Sequence, residues 1–193
     1  MGELIWFGRS ADVYFAVDLV YRTFMALEPQ DIVVLLKLTV SRPKNWSYPW
    51  LGESLKMSPS EAEAAIERAI DSRLINIADR RPIRAALEDF CVHGVQYAFP
   101  AKPGQITYGM PTAYAAPPLK YEFIASDALP PVWPDSNSHV RGNALDPLYR
   151  SVPDAARKDQ KLYAALALVD AIRMGRARER KRAAELLHVL LKG

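Results

Sequence analysis

A set of side chains between Lys44 and Arg81 has the chemistry needed to hold nucleic acid. Lys44, Lys56, Arg68, Arg73, Arg80 and Arg81 are cations that can neutralise phosphates. Ser60, Glu63 and Ala64 lie within the same stretch, where short or acidic side chains can meet base edges. A second cationic run, Arg173 to Arg182 (RMGRARERKR), sets six basic residues against one acidic residue, Glu179. Such a run can neutralise phosphates, form the solvated face of a helix, or dock on an acidic protein surface.

Catalytic chemistry is not expected. His93, His139 and His188 fall in three different elements, and none stands at a metal-ligand spacing such as H-E-x-x-H. There is no G-x-S-x-G, phosphate-binding loop or dinucleotide fingerprint. A single cysteine, Cys91, excludes an intramolecular disulfide and a cysteine-rich zinc site. Its apolar neighbours predict a buried, inert thiol. No cofactor or metal is expected.

The elements that must position the first set are legible in the chain. Asp31–Val40 (DIVVLLKLTV) predicts an apolar helix, followed by a link from Ser41 to Tyr48 that carries Trp46. A short helix from Pro49 to Leu55 and a turn at Lys56-Met57 come next. Ser58-Pro59-Ser60-Glu61 is a capping box with proline at the first helical position, so a third helix opens there. Ala62, Ala65, Ile66, Ala69 and Ile70 give its inward stripe. Ser60, Glu61, Glu63, Ala64, Glu67 and Arg68 then face outward, and three of these are glutamates. Leu74–Ile77 changes to a strand-like pattern. This order predicts a helix-turn-helix followed by the first strand of a winged-helix domain. The wing is expected to be reduced, or displaced by a helix from Ile83 to His93 that stops at Gly94.

Around this unit, Ser10 caps an expected helix from Ala11 to about Leu27. The region from Pro100 to Pro134 holds eight of the fifteen prolines and many aromatics. It predicts an ordered extended strap, with short strands at Ile106–Tyr108 and Lys120–Ile124. Asp135–Asn143 predicts a loop. The tail predicts helices over Gln160–Met174 and Arg176–Leu191. The expected fold class is therefore mainly α with small β content. The segments are residues 1–98 for the first helix and the winged helix-turn-helix, 99–143 for the strap, and 144–193 for the C-terminal helices.

Composition sets the outer limits. The chain has 193 residues, 50% of them hydrophobic, so a sizeable core is expected. A net charge of +3 is too small to identify a nucleic-acid binder by itself. The start of the chain lacks the pattern of a signal peptide. No stretch approaches the ~20 apolar residues of a membrane helix, and a cytoplasmic protein is expected.

The stretch LGESLKMSPSEAEAAIERAIDSRLI resembles MarR-like winged helix-turn-helix regulators, within a similarity that runs from about Pro29 to Ile77. The resemblance implies a DNA-binding transcriptional regulator that acts as a homodimer on double-stranded DNA. Ser60, Glu63, Ala64 and Arg68 would then face bases or backbone. The alternative is a protein-binding adaptor that uses the winged helix as a scaffold. The tail LYAALALVDAIRMGRARERKRAAELL looks like proteins encoded beside bacterial nucleotidyltransferase-type toxins, which implies an antitoxin-like partner role.

Overall fold

The computed structural model describes residues 26–122, 128–174 and 176–193. The helix expected from Ala11 lies almost wholly outside these residues. The chain is mainly helical (57%) with a small sheet content (14%). No helix among the described residues is long and apolar enough to cross a membrane.

The centre of the molecule is α1 (Pro29–Ser41), in which every residue from Asp31 to Val40 is buried. A helix with apolar residues all round can only be a core helix. It packs against the helices over Pro59–Asp71 and Gln160–Met174. Glu28 and Asp31 close its first turn, with Asp31 Oδ2 accepting from the Glu28 backbone N–H at 2.8 Å.

The link after α1 leads to α2 (Tyr48–Leu55), capped by Ser47. A tight turn at Lys56 and Met57 joins α2 to α3 (Pro59–Asp71). The turn passes so close to α2 that a Cβ on Gly52 would stand 2.7 Å from the Met57 carbonyl oxygen. Glycine is required there because the backbones touch. The capping box of α3 is present in both directions. Ser58 Oγ accepts from the Glu61 N–H at 3.1 Å, and Glu61 Oε2 accepts from the Ser58 N–H at 2.8 Å.

A two-stranded antiparallel hairpin follows, with β1 (Ile75–Asn76) paired to β2 (Arg81–Pro82). The next helix does not stop at Gly94. It runs as α4 (Arg84–Asp89), a π-helical turn (Phe90–Gly94) and α5 (Val95–Ala98). Gly94 keeps right-handed backbone angles, and the Phe90 ring lies where its side chain would be. Burial of Val95 carries the helix past the glycine.

The proline-rich strap forms three strands that close on one another. β3 (Pro103–Pro111) pairs antiparallel with both β4 (Pro131–Pro134) and β5 (Val140–Leu145), and β4 pairs in parallel with β5. Two expectations are corrected here. Residues 140–143 are strand rather than loop, and Lys120 and Tyr121 lie in a 3-10 turn rather than a strand. The strap is pinned to α7 (Gln160–Met174) by the buried carboxylate of Asp170. Asp170 Oδ2 accepts from Thr112 Oγ1 at 2.8 Å and from Trp133 Nε1 at 2.6 Å, and Oδ1 accepts from Arg173 at 2.5 Å. Burial pushes the Asp170 carboxyl up, against the pull of these donors.

After β5, α6 (Val152–Lys158) leads into α7, and α8 (Ala177–Lys192) folds back along it. One buried apolar cluster joins residues from all three expected segments, from Ile32 through Trp133 to Leu191.

Candidate nucleic-acid interface

The expected site residues separate into two groups. Arg68 leaves the surface altogether. It is 8% exposed, and its guanidinium grips Asp31 with two bonds, Nε to Oδ2 at 2.8 Å and a terminal nitrogen to Oδ1 at 2.6 Å. Glu28 adds a third contact at 3.3 Å. The physical reason is the fully buried Asp31, whose carboxylate needs a partner inside the protein. Burial pushes the Asp31 carboxyl up against the pull of Arg68, while Asp31 raises Arg68 further. Arg68 therefore ties α3 to α1 and does not face outward as expected.

The outward face of α3 keeps Ser60, Glu63, Glu67 and Asp71 exposed, with Ala64 half-buried. Glu63, Glu67 and Asp71 recur every four residues and form one acidic line. Glu61 is turned away from that line. Its second oxygen accepts from the Tyr149 hydroxyl at 2.8 Å, and Arg150 lies at 3.7 Å. Lys56 turns the same way and pairs with Asp154 at 2.7 Å. As Arg68 is in the core, α3 presents acid and no arginine to any partner.

The remaining cations gather elsewhere. Arg80 sits at the tip of the hairpin, with its guanidinium 5.0 Å from the ring centres of both Trp46 and Tyr48, and it bonds the Tyr48 hydroxyl. Cation–π contacts at exposed sites contribute about 0.5–1 kcal/mol each. Trp46 and Tyr48 meet edge to face with ring centres 5.8 Å apart. Lys44 precedes them in the same link, Arg81 follows on β2, and Arg73 stands just before β1; all three are exposed. Sequence reasoning missed Arg42 and Arg84, which complete this edge. Both reach the C-terminal end of α8: Arg42 donates to the carbonyls of Leu191 (3.0 Å) and Lys192 (2.5 Å), and Arg84 to Lys192 (3.1 Å). The signal for Arg42 was its place at the end of an apolar helix, where a cation meets the negative pole of the helix dipole.

Backbone geometry marks the same residues. Arg42, Lys56, Arg73 and Arg80 all have positive φ, between 45° and 58°. Glycine adopts this conformation freely, whereas other residues lose about 1–2 kcal/mol there. Three of the four follow helix C-termini, where a cation recovers part of that cost.

The second cationic run is largely engaged within the chain. Arg173 bonds Asp170, Arg176 lies 5.6 Å from the Tyr114 ring, Arg180 bonds Gln96, and Arg182 bonds Glu122 and Glu185. Of the expected readings, the solvated helix face fits this best, since Ala183, Leu187 and Leu191 of α8 are buried.

The three histidines stand on separate segments. His93 and His139 are exposed, and His188 pairs with Glu88 at 2.6 Å across α8 and α4. Burial pushes the Cys91 thiol up to about 12. Among the described residues no group of three or more His, Cys, Asp or Glu side chains is placed to hold a metal ion. No known protein family, curated protein or solved structure matches this chain.

Proposed function

We propose that the chain is a DNA-binding transcriptional regulator of winged helix-turn-helix type, and that it grips duplex DNA with its hairpin edge. The observation that carries this reading is the exposure of Lys44, Arg73, Arg80 and Arg81 on the link and the hairpin, with Arg80 stacked on the half-buried Trp46–Tyr48 pair. The order of three helices and a hairpin supports it, because that order places a hairpin beside the third helix. The acidic line on α3 opposes deep insertion of that helix, since duplex DNA carries about one charge per ~1.7 Å. The cations of the edge therefore supply the phosphate contacts, and the protein acts as a homodimer in the cytoplasm.

Fluorescence anisotropy with a mixed-sequence duplex tests this between 50 and 200 mM salt, roughly the range over which phosphate contacts lose affinity. Four phosphate contacts give a slope of log affinity on log salt of about −3.6. Arg80→Ala and Arg81→Ala should each flatten the slope by about one. Binding without a salt slope, or no binding, rejects the reading.

A second reading is favoured by the line of Glu63, Glu67 and Asp71. Here the protein is an adaptor or antitoxin-like partner that offers this acidic face to a basic protein. Co-purification of a stoichiometric basic partner that is lost with Glu63→Lys, without retention on heparin, would favour it over DNA binding.

A further inference from the structure

Between the end of α1 and the hairpin lies a cleft of about 280 Å³, lined among others by Arg42, Pro43, Trp46, Arg81, Pro82 and Arg84. Its residues bring three guanidinium groups and no carboxylate. Arg42 and Arg84 are held in place by the carbonyls at the end of α8. Those carbonyls, with the Gly193 oxygen that also accepts from Arg42, fix the two side chains and offset part of their charge. Arg81 differs from them. Its side chain makes no bond to any described residue, although its backbone is fixed in β2 and by the Asp79 side chain. Trp46 and the two prolines add apolar walls to the same cleft.

The chemistry of the walls selects the ligand. The planar fork of a guanidinium donates to a pair of phosphate or carboxylate oxygens at once. Three of them favour a dianion over a monoanion. The apolar walls favour a ring attached to it. The volume falls just below the ~300–1,000 Å³ of pockets for drug-sized ligands, which limits the occupant to about one substituted ring. We propose that this cleft binds a small ring-bearing phosphomonoester, with the phosphate on Arg81 and Arg84 and the ring against Trp46 and the prolines. The cleft takes this ligand whether or not the edge binds DNA.

Isothermal titration with phenyl phosphate, inorganic phosphate and benzoate, with no DNA present, tests the assignment. Phenyl phosphate should bind about tenfold or more tightly than either of the others, because only it has both ring and dianion. Arg81→Gln should weaken phenyl phosphate about tenfold or more, whereas the nearby Lys44→Gln should change it less than about twofold. Arg81 is exposed and bonds no neighbour through its side chain, so its replacement leaves the fold intact; the variant's thermal melt checks this. Four results overturn the proposal: no heat with phenyl phosphate at millimolar concentration, equal affinity for inorganic phosphate, equal affinity for benzoate, or equal losses in the two variants. The last would mean diffuse charge attraction in place of a built site.

Discussion

Removing Arg68 separates a structural arginine from a DNA-contacting one. In Arg68→Ala, the fully buried Asp31 carboxylate loses both of its guanidinium bonds, at 2.8 and 2.6 Å. It keeps only the Glu28 N–H. Breaking a buried pair by removing one partner costs about 3–5 kcal/mol, because the remaining charge is left without compensation. For a chain of this size each kcal/mol shifts the melting temperature by about 2–4 °C, so a drop of roughly 6–20 °C is expected. Circular dichroism melts and urea titration measure it. The double variant Asp31→Asn, Arg68→Met removes both charges. It should recover most of the loss and leave a deficit of about 1 kcal/mol for the weakened α1 cap. Duplex binding by the folded fraction of Arg68→Ala should keep the wild-type salt slope. A melting temperature unchanged within about 1–2 °C, the equivalent of about 0.5 kcal/mol, would refute the pair. So would a salt slope reduced by about one, which would place Arg68 on phosphate.

Glu61 makes stability depend on acid. The Ser58 N–H, then the Tyr149 and Ser58 hydroxyls, hold its carboxyl down at about 2, against an ordinary 4.5. The folded value is the lower one, so this contribution is present above pH 4.5 and is lost as the pH falls towards 2. Glu61→Gln should flatten the fall of melting temperature over that interval, and an unchanged slope would show that the cap does not carry it. At Gly52, alanine would gain about 1 kcal/mol of helix propensity but would place a Cβ 2.7 Å from the Met57 carbonyl oxygen. Backbone cannot give way cheaply there, so Gly52→Ala should lose about 1–3 kcal/mol in chemical denaturation. A stabilised variant would show that the turn between α2 and α3 is looser than described.

Much of the helical frame was legible because its determinants are local. The capping box at Ser58, the prolines at helix starts and the apolar stripe of α3 act within a few residues, and the structure keeps each of them. The features that escaped depend on distant partners. Arg68 lies beside the inward stripe, and only the 37-residue step back to Asp31 determines that it turns in. An acid inside the apolar run of α1 was the available clue, since a buried carboxylate requires a donor. Gly94 was expected to end its helix, a local rule overruled by packing of Phe90 and Val95. The strand at residues 140–145 pairs with a segment about thirty to forty residues earlier, and its Gly-Asn-Ala pattern carries no period to reveal it. Arg42 and Arg84 reach a helix end more than a hundred residues away.

The left-handed backbone at Arg73 and Arg80 has a practical consequence. At almost any other surface site, replacing arginine with glycine removes charge and loosens the chain together. Here glycine suits the existing backbone, so Arg73→Gly takes away the charge while relieving a conformational penalty of about 1 kcal/mol, whereas Arg80→Gly also gives up the contacts with Trp46 and Tyr48. Charge and backbone stability can thus be varied in opposite directions at the same residue. A loss of binding in such a variant, accompanied by an equal or higher melting temperature, could not be blamed on a damaged fold.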